Sequence, residues 1–202
     1  MTATPGARTF TRYFMGVILL MAVFCLAGQK TPERPETWAV PLEMEGVPNF
    51  HQVSDTLYRS AQPTAEGMAG LYAMGIRTVV NLRSYHSDRD EIGNMNLGYE
   101  HLTMKAWHPE EEEIIRFLEI VMDPKKAPVL VHCQHGADRT GTMVAAYRVV
   151  IQGWTKEEAI REMIEGGYGY HSVWKNLPHW IRRLDVQKIK EKLGMGDRGG
   201  RR

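Results

Sequence analysis

Apolar and polar positions alternate along the chain in blocks of two periods. Arg77–Leu82 (RTVVNL) and the VLVH run after Pro128 are short, continuous and β-branched, the pattern of strands buried on both faces. Asp55–Ser60 reads as a further short strand, and Tyr99–Met104 as a weaker one. Between them the period changes. Thr64–Met74 follows Pro63 and stops at Gly75, the start and stop signals of a helix. Glu110–Met122 places Ile114, Ile115, Phe117, Leu118 and Val121 on one face, as an amphipathic helix does. Gly141–Ile151 reads as a helix ended by Gly153, and Thr155–Ile164 as one opened by a Thr155/Glu158 capping box. Strands alternating with helices predict an α/β fold with a central sheet flanked by helices.

The N-terminal pattern is of another kind. Arg8 and Arg12 are the only charges in the first 29 residues, and an uncharged run, Tyr13–Gly28, follows them. A basic start, an apolar stretch and small residues at its end predict a signal peptide or membrane anchor over residues 1–28. The run is short beside the ~20 apolar residues of a spanning helix, which favours cleavage, near Ala27, over anchoring. The protein is then exported, either periplasmic or tethered to the inner membrane and facing the periplasm. Residues 29–46, with prolines and charges interspersed, read as a linker, and 194–202 (GMGDRGGRR) as a disordered tail. The folded domain is expected over 47–193.

Composition narrows the functions. In 202 residues, 25 Lys+Arg face 24 Asp+Glu, too even a balance for a nucleic-acid binder working through bulk charge. Two cysteines cannot build a disulfide framework or a four-cysteine zinc site. The eight histidines show no ligand spacing beside cysteines or acids, so no metal and no cofactor is expected. Loss of residues 1–27 takes two arginines and Cys25, shifts the net charge from +1 to −1 and leaves Cys133 as the single cysteine.

Cys133 stands in the segment richest in chemistry, PVLVHCQHGADRTGTMVAAY (Pro128–Tyr147). A buried strand runs to His132, a seven-residue turn Cys133–Arg139 follows, and Thr140-Gly141 opens a helix. Such a turn aims successive backbone N–H groups, those of Gln134, His135, Gly136, Ala137, Asp138 and Arg139, at one point backed by the positive helix end. That is an anion cradle. A thiol at its mouth is favoured as thiolate, the nucleophilic form. The planar fork of Arg139 can bind two oxygens of a tetrahedral oxyanion. Thr140 can donate its hydroxyl to the Cys133 sulfur, and His132 can orient the loop through hydrogen bonds. Together these fit phosphoryl transfer through a cysteinyl-phosphate.

The segment resembles the His-Cys-x5-Arg-Ser/Thr signature of the protein tyrosine phosphatase superfamily. HCQHGADRTG more closely resembles bacterial atypical dual-specificity phosphatases, including exported ones. NFHQVSDTLYRSAQP (Asn49–Pro63), GIRTVVNLR (Gly75–Arg83) and AAYRVVIQGWTKEEAIREM (Ala145–Met163) are similar to the strands and helices of that group, which extends the likeness over about Asn49–Arg183. The resemblance implies a cysteine-based phosphatase fold and metal-independent hydrolysis of phosphate monoesters on a phosphorylated protein or peptide. It implies Cys133 as nucleophile, Arg139 as phosphate clamp and Thr140 as helper hydroxyl.

One part departs from the family. A general acid, most often an aspartate, comes from a loop before the signature, and the matching stretch MKAWHPEEEE (Met104–Glu113) has none. Glu110, Glu111 and His108 are the candidates there, although glutamates at a helix start are also favourable without any catalytic role. Asp88 and Asp90 are remoter. Asp138 would repel phosphate if it pointed inward and is expected to point out. Arg59 is expected to pin its strand rather than reach the site. His135 either adds charge over the substrate or packs the loop, and Tyr168, Tyr170, Trp174 and Trp180 read as packing. Inositol phosphates and phosphoinositides are a rival substrate class, but the loop carries no lysine. A phosphate-binding pseudophosphatase is the non-enzyme rival, and arsenate reduction would need further cysteines.

Overall fold

The computed structural model describes residues 34–196. The expected signal segment and the end of the expected tail lie outside them. Among the described residues no helix is long and apolar enough to cross a membrane.

The described residues form, in order, β1 (Val40–Pro41), β2 (His51–Ser54), β3 (Leu57–Ser60), α1 (Ala65–Met74), β4 (Thr78–Asn81), α2 (Arg89–Ile92), β5 (Gly98–His101), α3 (Glu111–Met122), β6 (Val129–His132), α4 (Asp138–Val150), α5 (Lys156–Glu165), α6 (Asn176–Arg183) and α7 (Val186–Lys192). The sheet order is β1-β2-β3-β6-β4-β5, with β3, β6, β4 and β5 parallel and β1 and β2 antiparallel at one edge.

The two-residue period of the strands divides the interior in two. Leu57, Val80, Val129 and Val131 face a core built with α3 to α7, whose centre includes Phe117, Leu118 and Met143. Their neighbours Tyr58, Val79 and Leu130 face a second core with Met68 and Leu71 of α1 and Ile92 of α2. Central strands buried on both faces read as continuous apolar runs, here Val79-Val80 and Val129-Leu130-Val131, which is why β4 and β6 stand out in the sequence. α1 is capped as its residues require. The Thr64 hydroxyl accepts from Gly67 N at 3.1 Å, and Gly75 takes the left-handed conformation at φ 101°.

Three boundaries differ from expectation. Residues 29–46 are not linker throughout: Trp38 and Ala39 are buried, and Val40–Pro41 pairs with His51 and Gln52 as an edge strand, where proline is tolerated. The compact unit begins at Glu36 rather than residue 47. β5 ends at His101, not Met104, because its partner β4 ends opposite at Asn81. α4 begins at Asp138, before Gly141, so Arg139 and Thr140 already belong to its first turn.

Candidate active site

The parallel register brings three strand ends together. His132 of β6 lies opposite Ser60 of β3 and Asn81 of β4. The chain then leaves the sheet as Cys133–Ala137 and re-enters structure as α4. The helix therefore supplies the last N–H groups of the expected anion cradle from its own unpaired first turn.

The loop is fastened from behind. Gly136 has φ 67°, and a Cβ there would lie 2.5 Å from the Ser60 carbonyl, so conformation and contact both demand glycine. Arg59 is fully buried; its Nη2 donates to Gly136 O at 2.6 Å, and its guanidinium sits 3.5 Å over the Tyr168 ring. Burial pushes the Arg59 guanidinium below its ordinary range, although the Tyr168, Glu162 and Cys133 charges oppose this. Arg59 thus holds the loop rather than reaching into the site, as its strand position suggested. Asn49 Nδ2 donates to His135 O and Tyr168 O at 2.9 Å each. Asn49 carries no motif of its own; the one sign of its role in the sequence is an asparagine after proline, able to take the φ of 55° seen here.

His132 is fixed from below. Its ring donates to Asp88 Oδ2 at 2.7 Å, with both side chains wholly buried. Asp88 Oδ1 also accepts from Gln62 Nε2 at 2.9 Å and Asn81 Nδ2 at 3.1 Å. Burial would raise the Asp88 carboxyl, but the His132 hydrogen bond and charge, the Gln62 hydrogen bond and the His86 charge outweigh it and hold it below the usual carboxylate range. His86, Asp88 and Glu91 bring potential ligand atoms within 4.8 Å of one another, so one histidine does stand at close spacing beside acids, contrary to the reading of the sequence. Asp88 is already engaged by its hydrogen-bond donors.

Cys133 is 3% exposed. Its loop neighbours Gln134, His135, Asp138 and Arg139 line a cavity of about 420 Å³ with Arg83, Tyr85, Trp107 and Trp174. Arg139 Nη1 donates to Leu82 O at 3.2 Å, which anchors one side of its fork. The Thr140 hydroxyl is buried without a hydrogen-bond partner among the described residues, so the expected bond to the sulfur is not formed here. Trp174, expected only to pack, is part of the cavity wall.

The acid candidates are not gathered at this cavity. Glu111 pairs with Lys188 and Lys192 at 3.0 and 2.7 Å, and these partners draw its carboxyl below the usual range. Glu110 precedes α3, its N–H donating to Glu113 Oε2 at 3.0 Å. His108 is exposed, 3.9 Å from Glu110. His108 and Glu111 line a separate hollow with His179 and Trp180, and Glu110 lines a third. Asp138 also departs from expectation. It is 7% exposed and turned onto His171, accepting from the His171 N–H at 2.9 Å and from ring Nδ1 at 2.8 Å. A carboxylate beside an anion cradle is tolerable when such donors occupy it.

Comparison with known proteins points the same way. The family described as DSP-PTPase phosphatase fused to NAD+ kinase matches residues 40–169. The dual specificity protein phosphatase TpbA of Pseudomonas aeruginosa is 32% identical over 184 residues, 91% of this chain and 83% of that protein. Inositol diphosphatase DSP5 of Arabidopsis thaliana is 28% identical over 125 residues, 57% of this chain and 60% of that protein. Among solved structures, a cysteine-to-serine variant of P. aeruginosa TpbA in complex with pTyr superimposes with a TM-score of 0.72 at 32% identity, covering 81% of this chain and 99% of that one. The catalytic core of the S. cerevisiae PP-IP phosphatase SIW14 shares the fold at a TM-score of 0.61 and 21% identity, covering 77% and 96%.

Proposed function

The chain belongs to the DSP-PTPase phosphatases, and from that premise we propose that it hydrolyses phosphotyrosine on proteins, with phosphoserine and phosphothreonine as further substrates, through a cysteinyl-phosphate on Cys133. The observation that carries this reading is the strand–loop–helix in which Cys133 opens a turn whose residues Gln134, His135, Asp138 and Arg139 line one cavity. The Cys133 thiolate attacks phosphorus; the S–P bond forms as the bond to the leaving oxygen breaks, and that oxygen takes up a proton. The loop N–H groups and Arg139 balance the equatorial oxygens. Water then attacks phosphorus, the S–P bond breaks and inorganic phosphate leaves.

Two features favour phosphotyrosine. Tyr85, Trp107 and Trp174 give the cavity flat apolar walls suited to a phenyl ring. The cavity cations Arg83 and Arg139 stand with the acid Asp138 and without a lysine, a weak setting for an inositol polyphosphate. The test is turnover of p-nitrophenyl phosphate and a phosphotyrosine peptide in EDTA. Wild type is expected to be active and Cys133→Ser to be inactive on both. Turnover confined to inositol polyphosphates would move the assignment to that class, and no turnover on any ester would favour a phosphate-binding role.

Export belongs to the same proposal. The two arginines followed by the uncharged run Tyr13–Gly28 support secretion across the inner membrane, with a retained tether as the variant form. N-terminal sequencing is expected to give a mature chain starting near Gly28. A start at Met1 in the membrane fraction would establish the tether, and Met1 in the cytoplasm would overturn export.

A further inference from the structure

Phosphoryl transfer from a phenol or an alcohol needs a proton for the departing oxygen, and a positioned acid contributes about 10²–10⁴-fold. The loop before α3 has no aspartate, and its three acid candidates line other hollows. The cavity beside Arg139 contains two histidines instead, His135 and His171. Their rings lie 5.3 Å apart at 56°. They differ in how they are held. No hydrogen bond to the His135 ring is formed among the described residues. His171 is gripped twice by one carboxylate, its N–H on Asp138 Oδ1 at 2.9 Å and its ring Nδ1 on Oδ2 at 2.8 Å. That grip fixes the ring's position and makes Nδ1 a donor to the acid. Nε2, on the opposite edge, is left without a partner among the described residues, on a side chain that is 48% exposed.

We propose that His171 is the proton donor of this phosphatase and that Asp138 is its positioning residue. The proposal rests on the phosphatase reading above and fills the role that MKAWHPEEEE leaves open. As Cys133 Sγ bonds to phosphorus and the P–O bond breaks, the electron pair goes to the leaving oxygen, which takes the Nε2 proton of a doubly protonated His171. In the second step Nε2 takes a proton from the attacking water, the S–P electron pair returns to Cys133, and both groups are restored. The signature loop thereby carries the nucleophile, the anion clamp and, through Asp138, the seat of the acid.

The choice of leaving group tests this. A good leaving group needs little protonation, whereas the tyrosine phenol, with a pKa of about 10, needs much. kcat/KM is compared for p-nitrophenyl phosphate, phenyl phosphate and a phosphotyrosine peptide, on full-length wild type, His171→Gln, Asp138→Asn and His108→Ala. In His171→Gln the expected loss is roughly 10²–10³-fold on phenyl phosphate and the peptide but only about 10-fold on p-nitrophenyl phosphate. Asp138→Asn is expected to show the same ordering at smaller amplitude. The ratio between substrates is measured within one variant, so a reduced folded fraction does not alter it. Equal losses on all three esters, or none, would overturn the proposal. So would the same leaving-group dependence in His108→Ala with none in His171→Gln. A wild type inactive on every ester would instead defeat the phosphatase reading itself.

Discussion

Two histidine–carboxylate pairs bracket the signature loop, and water reaches only one of them. Below the loop His132 meets Asp88 at 2.7 Å with both side chains at 0% exposure. At its rim His171 meets Asp138 at 2.8 Å with side chains 48% and 11% exposed. The contact is nearly the same in length and chemistry. What differs is what else the carboxylate does. Asp88 is a hub, accepting from Gln62 and Asn81 as well, so it ties β6 to β4 and to the segment after β3. Asp138 gives both of its oxygens to His171 and, among the described residues, to no other donor. A buried, fully satisfied network rigidifies what it joins, whereas a half-open pair can exchange a proton with a ligand. Burial, rather than residue type, thus divides the scaffold of this site from its proton chemistry.

The widest separation between the pairs is expected in stability. Asp88→Ala leaves the His132 ring, Gln62 and Asn81 without their buried acceptor, and the loss should be on the order of 3–5 kcal/mol in urea unfolding. His171→Gln should leave the unfolding midpoint close to wild type. The Asp88 effect should also depend on pH. Its folded carboxyl lies below the unfolded value of about 3.9, so its stabilisation is complete above that value and is lost as pH falls through the lower folded one. The stability gap between wild type and Asp88→Ala should be constant near neutrality and narrow in strong acid. A constant gap into strong acid would mean that Asp88 acts through packing rather than through its charge.

The same contrast explains what could be read along the chain. Cys133, Arg139 and Thr140 sit in one contiguous turn, and contiguity is visible in a sequence. β4 and β6 were visible because strands buried on both faces lose the polar-apolar alternation: Val79-Val80 and Val129-Leu130-Val131 are continuous apolar runs. The α5 capping box was visible because Thr155 and Glu158 complete it within three residues, through bonds of 3.0 and 3.2 Å. Asp88 stood only as a remoter acid candidate, not as the partner of His132, and His171 was not visible as a site residue. They lie 44 and 33 residues from the groups they hold, and no periodicity links such positions. A partial sign existed at Asp138. An acid inside an anion cradle needs a donor, and that need could have directed attention to the histidines. β1 was hidden because Pro41 and the nearby charges look like linker, although its pairing with β2 tolerates both.

The smallest effect is expected at an acid candidate that sequence position alone suggested. The run of glutamates opening α3 resembles a store of acid groups, and Glu111 lies within it. Its carboxylate is instead spanned by Lys188 and Lys192 of α7, at 3.0 and 2.7 Å, in a surface network that screening by water and salt keeps weak. These lysines hold it below the ordinary carboxylate range, so it is ionised at neutral pH and has no proton to give. Glu111→Gln should therefore leave kcat/KM for phenyl phosphate and for p-nitrophenyl phosphate equally unchanged, and shift the melting temperature little. A selective loss on phenyl phosphate would place the proton donor on the α3 side of the cavity and remove the distinction drawn between the two histidine pairs. An unchanged ratio, beside a collapsed one in His171→Gln, would assign proton transfer to the rim pair and leave Glu111 as a clasp between α3 and α7.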